Sequence, residues 1–214
     1  MNRICVVTEK GHEYYALVSR LRRAGLPFTS MLPDSDYKAC SLILTTTSEA
    51  SRFGDKALSL EDLDENPGVF KGQLLSSMDG AGLPVLVGVD PGTRTGMAVF
   101  YGETPLAFGT YNSVKSVSAR IQAFWKGIKA QRFVVRVGSG NPSLAQRIAE
   151  VLAIEVPGAA VELVDESGTS TSSPRFKGVQ RDQSAAAKIA FRKGVIVNQG
   201  LPRTHERDPP ARQD

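Results

Sequence analysis

Three acids set far apart in the chain, Asp90, Glu166 and Asp182, are the residues best placed to do chemistry. Asp90 closes the apolar run Val85–Asp90 and is followed at once by Pro91-Gly92-Thr93-Arg94-Thr95-Gly96. A carboxylate at the end of a buried strand is held rigidly, as a metal ligand must be. Gly92 and Gly96 let the chain turn sharply there and approach a ligand closely. Asp165 and Glu166 end a second apolar run, Val161–Val164, and Asp182 opens the segment Asp182-Gln183-Ser184-Ala185-Ala186-Ala187. Carboxylate oxygens suit hard divalent cations such as Mg²⁺ or Mn²⁺.

These elements also resemble known ones. Asp90-Pro91-Gly92-Thr93 with Gly96 looks like the first motif of RuvC-type Holliday-junction resolvases. A strand ending in Asp165-Glu166, a Ser/Thr-rich loop, and Asp182 ahead of small residues is similar to YqgF proteins. Together the two matches span about residues 84–194 and leave the first 80 uncovered. The resemblance implies an RNase H-like nuclease using two Mg²⁺ or Mn²⁺ ions, with Asp90 bridging them and Glu166 and Asp182 completing the shell. The implied substrate is a Holliday junction or other branched DNA, or structured precursor RNA. Glu166 is preferred to Asp165 by resemblance and by alternation, since Asp165 shares a face with Val161 and Leu163. If the strand ends at Val164, alternation no longer decides, and Asp165 stays as a second candidate ligand. The pattern departs from RuvC-type resolvases in one place: they carry a Glu on or after the strand that here reads Phe133-Val134-Val135-Arg136-Val137-Gly138-Ser139, where no acid occurs. YqgF proteins tend to be Gly-rich there.

Two other functions compete. The missing acid motivates a non-catalytic nucleic-acid-binding protein on the same fold. The Asp-x-Gly-Thr turn also occurs in sugar kinases and actin-like ATPases, giving an ATP-binding phosphotransferase, although a second nucleotide-binding half is lacking. Charge favours a polyanionic partner: residues 1–80 hold nine Lys and Arg against eleven Asp and Glu, whereas residues 81–214 hold seventeen against eleven. Basic side chains on phosphates release counterions and strengthen binding. Arg175 and Lys177, with Arg181 just beyond, read as a mobile basic flap beside the acids, and Arg94 and Arg136 are further phosphate contacts. Gly138–Pro142 could cradle a phosphate, but Asn141 as cap and Pro142 at the first helical position make an ordinary helix start. Asp182 taken alone would also read as a helix cap; its place after the flap favours the metal role. His12 and His205 have no metal-ligand spacing, and no Ser has a His partner.

Stepping outward, the elements that must carry these residues read as α/β throughout. Residues 1–80 form a small α/β domain of unknown role: strand Ile4–Thr8, helix Glu13–Ala24 closed by Gly25, strands Phe28–Leu32 and Ser41–Thr46, an acidic solvated connector Leu60–Pro67, and helix Val69–Met78. Residues 81–200 read as three consecutive strands (Val85–Asp90, Gly96–Tyr101, Leu106–Thr110) followed by alternating helices and strands. Consecutive strands pair antiparallel and the later ones return parallel. The expectation is an RNase H-like mixed five-stranded sheet with flanking helices, its first and fourth strands neighbours. Residues 201–214, with Pro202, Pro209 and Pro210, read as a disordered tail. Cys5 and Cys40 are expected as separate buried thiols of a cytoplasmic protein. No apolar run is long enough for a membrane span. Symmetric junction cleavage would require two active sites, hence a homodimer.

Overall fold

The computed structural model describes residues 3–165 and 181–198, with the side chains of Arg181 and Asn198 left out. The chain forms two sheets with helices between and around them. The smaller sheet has strands β1 (Ile4–Val6), β2 (Thr29–Ser30), β3 (Leu42–Thr45) and β4 (Ala57–Ser59) in the order β2-β1-β3-β4, all parallel. Helix α1 (Gly11–Ala24) buries Leu17, Val18 and Leu21. Gly25 ends it at φ 65°, a left-handed conformation that costs glycine little. The acidic connector is more structured than expected. Ala57–Ser59 is a fourth strand beyond the short helix α2 (Thr47–Ala50), Leu63 is buried, and Arg20 from α1 donates to the carbonyls of Leu60 and Leu63.

The two cysteines correct a sequence expectation: Cys5 and Cys40 are joined by a disulfide, with Cα atoms 5.9 Å apart, a separation that the bridge spans without backbone movement. Cys40 closes a turn ahead of β3, its N–H donating to the Tyr37 carbonyl, and lies in the buried cluster that holds Cys5, Val7 and Ile43.

Helix α3 (Pro67–Met78) follows, capped by Asn66, whose side chain accepts from the N–H groups of Gly68 and Val69. It is apolar nearly all round because it serves both cores: Phe70 and Leu74 pack with the small sheet, Val69 with the large one. Close packing depends on small residues. A Cβ on Gly127 would lie 2.4 Å from the Val69 side chain.

The larger sheet comprises β5 (Val85–Asp90), β6 (Thr95–Tyr101), β7 (Thr104–Tyr111), β8 (Phe133–Gly138), β9 (Ala160–Val164) and β10 (Val195–Asn198), in the order β10-β9-β8-β5-β6-β7. β5, β6 and β7 form an antiparallel meander, and β8 and β9 are parallel to β5. The first and fourth strands are neighbours, as expected. The expected five strands become six: β10 pairs antiparallel with β9, Val195 opposite Leu163 and Ile196 opposite Glu162. Val195-Ile196-Val197 is β-branched throughout, which suits a strand, but it is short and directly follows a helical segment. Helices α4 (Val114–Gly127) and α5 (Pro142–Glu155) cover one face, packing Ile121, Phe124, Ile148 and Leu152 on Val85, Val87 and Val89. Helix α6 (Arg181–Ala190) covers the other, packing Ala186, Ala187 and Ala190 against Ala98 and Phe100. Among the described residues no helix is long and apolar enough to cross a membrane.

Candidate functional site

Asp90 is the last residue of β5, and its cross-strand partner is Gly96, near the start of β6. Opposed residues of an antiparallel pair share a face. Gly96 is in turn opposite Thr110 on β7, so Asp90, Gly96 and Thr110 form one row, with Gly88 a step behind. This is the face that α6 covers, and two glycines set how closely it sits. A Cβ on Gly88 would fall 1.8 Å from the Ala186 carbonyl oxygen and 2.7 Å from the Ala190 nitrogen. A Cβ on Gly96 would fall 2.3 Å from the Asp182 carbonyl oxygen and 3.2 Å from the Asp182 Cβ. No side chain fits at either position. The backbone of Asp182 therefore lies directly on Gly96, the residue facing Asp90 across the ladder, and two acids remote in sequence occupy the same corner of the sheet.

Asp182 lies within the first turn of α6 rather than ahead of it. There the unpaired N–H groups of a helix start favour a carboxylate. In the same row, the Thr110 hydroxyl is buried and has no hydrogen-bond partner among the described residues. Gly92, Thr93 and Arg94 form the exposed turn beside Asp90. Gly92 is less constrained than Gly88 or Gly96: a Cβ there would make a tight but not impossible approach of 3.3 Å to the Arg94 carbonyl oxygen.

The ends of β5, β8 and β9 are level: Val89 pairs with Val137, and Gly138 with Val164. Asp165 follows directly, exposed, its carbonyl accepting from Arg192 at 3.0 Å. It stands two strands from Asp90, roughly 10 Å across the sheet, with the acid-free end of β8 between them. Among the described residues, no group of three His, Cys, Asp or Glu side chains is gathered as a metal site. Glu166, Arg175, Lys177 and the side chain of Arg181 lie outside the described residues.

Arg136, named from sequence as a phosphate contact, is engaged inside the fold. Its Nε donates to Glu162 Oε2 at 2.8 Å, with side chains only 16% and 10% exposed. One terminal nitrogen donates to the Ala190 carbonyl at 2.6 Å, and Glu162 also accepts from the Gly194 N–H. The pair thus fastens the C-terminal end of α6 one row behind the acids. Sequence reasoning missed Glu162. The available signal was one acid and one base, each alone in an apolar strand. The Gly138–Pro142 loop is an ordinary helix start: Asn141 Oδ1 accepts from the Leu144 N–H at 3.2 Å, and Pro142 opens α5. A cleft of about 360 Å³ lined by Leu58, Asp62, Gln73, Ser76 and Lys129 includes none of these acids.

No protein-family profile matches the chain, and no curated protein sequence does. Among solved structures, a chain described as the Thermus thermophilus RuvC structure aligns with TM-score 0.35 and 18% identity, over 50% of this chain and 90% of that one.

Proposed function

We propose that this chain is a metal-dependent endonuclease acting on structured nucleic acid, built on an RNase H-like sheet. The observation that carries the reading is Asp182 seated on Gly96, opposite Asp90. A meander of three strands followed by two parallel strands beside the first supports the RNase H-like assignment. The donor set fits a hard divalent cation such as Mg²⁺ or Mn²⁺: two carboxylates share a corner of the sheet with a buried hydroxyl that has no hydrogen-bond partner among the described residues. Asp90 and Asp182 would hold the metal, with Glu166 as third donor and Asp165 as its alternative. When bound, two such ions supply Lewis acidity and lower the pKa of coordinated water.

The chain's own residues do the positioning. β5 and the close seat on Gly96 fix Asp90 and Asp182 without long, mobile side chains. Arg94 is exposed on the turn beside Asp90, where it can take a phosphate oxygen of the substrate backbone, and Arg175, Lys177 and Arg181 would add to that contact. The basic balance of residues 81–214 suits a polyanion.

The test is to incubate labelled four-way junctions, flaps and structured RNA with the protein in Mg²⁺ or Mn²⁺, beside Asp90→Asn and Asp182→Asn. Metal-dependent cutting lost in both variants is expected; substrates left whole by the wild type would defeat the reading. The absence of an acid on β8 favours a second reading, a non-catalytic binder on the same fold. Its signature is salt-dependent affinity that ignores both metal and Asp90→Asn.

A further inference from the structure

The backbone of α6 is seated at two points, the Asp182 carbonyl on Gly96 and the Ala186 carbonyl on Gly88. The freedom left to Asp182 is rotation of its own short side chain. The row beneath it runs Asp90, Gly96, Thr110 across three strands, and Gly96 brings no side chain to it. Asp182 takes that place: its Cβ lies 3.2 Å from where a Gly96 Cβ would be. The carboxylate thus hangs between Asp90 on β5 and Thr110 on β7. Cross-strand neighbours stand about 4.5–5.5 Å apart at Cβ, a span that one hydrogen bond between a hydroxyl and a carboxylate closes.

Thr110 brings the second observation. Its hydroxyl is buried with no hydrogen-bond partner among the described residues. A buried hydroxyl left without a partner costs free energy. Valine, close to threonine in shape and well suited to a strand, would avoid that cost. The neighbour two residues back on the same face, Phe108, is apolar and packs against Ala98 and Phe100. The acid seated over Gly96 is one strand away on this same face.

We propose that Thr110 is a positioning residue of the acid corner: its hydroxyl donates to one oxygen of the Asp182 carboxylate and so turns the other toward the cation shared with Asp90. The role rests on the metal-dependent reading above. Thr110 acts through Asp182 and touches neither ion nor substrate. A carboxylate lying across the row presents one oxygen to each neighbour, and a hydrogen bond to the outer one fixes the orientation of the inner one, as groups behind metal ligands do.

Mn²⁺ binding to the full chain, followed by electron paramagnetic resonance of the free ion, needs neither substrate nor turnover. Thr110→Val should weaken binding about tenfold, and Thr110→Ser should restore most of it. In chelator, the urea midpoint of Thr110→Val should equal or exceed that of the wild type, because a buried hydroxyl without a partner has been removed. In an Asp182→Ala background, Thr110→Val should change the affinity no further. Unchanged affinity in Thr110→Val, serine no better than valine, or an equal loss in both backgrounds would each overturn the proposal. A purely structural threonine would instead give a lower midpoint at unchanged affinity. Asp90→Asn separates the two levels. If it binds Mn²⁺ as the wild type does, the metal site is wrong and the role of Thr110 falls with it; if affinity depends on Asp90 but not on Thr110, only the role of Thr110 falls.

Discussion

Replacing Gly96 with alanine asks whether α6 truly rests on the ladder beside Asp90. The new Cβ would lie 2.3 Å from the Asp182 carbonyl oxygen, where real Cβ atoms keep at least 3.0 Å. The obstructing atom is backbone, so no rotamer relieves the contact and the first turn of α6 must lift. Overpacking of this kind costs about 1–3 kcal/mol, while alanine in place of a strand glycine returns about 0.5–1 kcal/mol. The net loss should fall between about 0 and 2.5 kcal/mol, read as a lower urea midpoint at unchanged slope. Displacing Asp182 from Asp90 by near an ångström should also slow metal-dependent cutting about a hundredfold. Gly11→Ala is the control: a Cβ there meets nothing within 4 Å, and stability should stay within about 0.5 kcal/mol. If Gly96→Ala matched the wild type in both midpoint and activity, the seat of α6 on Gly96 would be wrong, and with it the pairing of the two acids.

Arg136→Met leaves Glu162 charged and unpaired inside the fold and should cost about 3–5 kcal/mol in urea unfolding, most of it recovered by Arg136→Met with Glu162→Leu. Reduction of the Cys5–Cys40 bridge, which closes a 35-residue separation, should lower stability by about 3–4 kcal/mol, seen as a drop in Tm with reductant that Cys5→Ser abolishes. Glu49 is pulled two ways. Partial burial raises its pKa, but hydrogen bonds from the Glu9 N–H and the hydroxyls of Thr8, Thr46 and Thr45 outweigh this and hold it at about 2. Its stabilisation is therefore complete above the ordinary value of 4.5 and is lost as pH falls toward about 2. The stability difference between wild type and Glu49→Gln should shrink across that window, and a constant difference would contradict it.

The corner holding Asp90 was legible because local pattern determines it: an unbroken apolar strand, a Pro-Gly turn and a second apolar strand leave little freedom. The alanines of α6 announced close helix packing, and Ala186, Ala187 and Ala190 are indeed buried. What they pack on was not legible. Gly96 reads as room for a ligand, whereas its space is taken by the Asp182 backbone, and Gly88 carried no signal until strand register placed it under Ala186. Arg136 was misread for a similar reason. A lone charge in a strand looks available until the partner strand supplies Glu162 at the same level. Strands β4 and β10 escaped because three or four residues give too little alternation to stand out. The disulfide was set aside on an argument about compartment, while the geometry that makes it is a tertiary one.

The account turns on one ion held jointly by Asp90 and Asp182. Anomalous diffraction from crystals soaked in Mn²⁺ tests this most directly. The expected result is a manganese peak within coordination distance of both carboxylates, absent in Asp90→Asn. Peaks elsewhere only, with the two side chains binding no common ion, would contradict it.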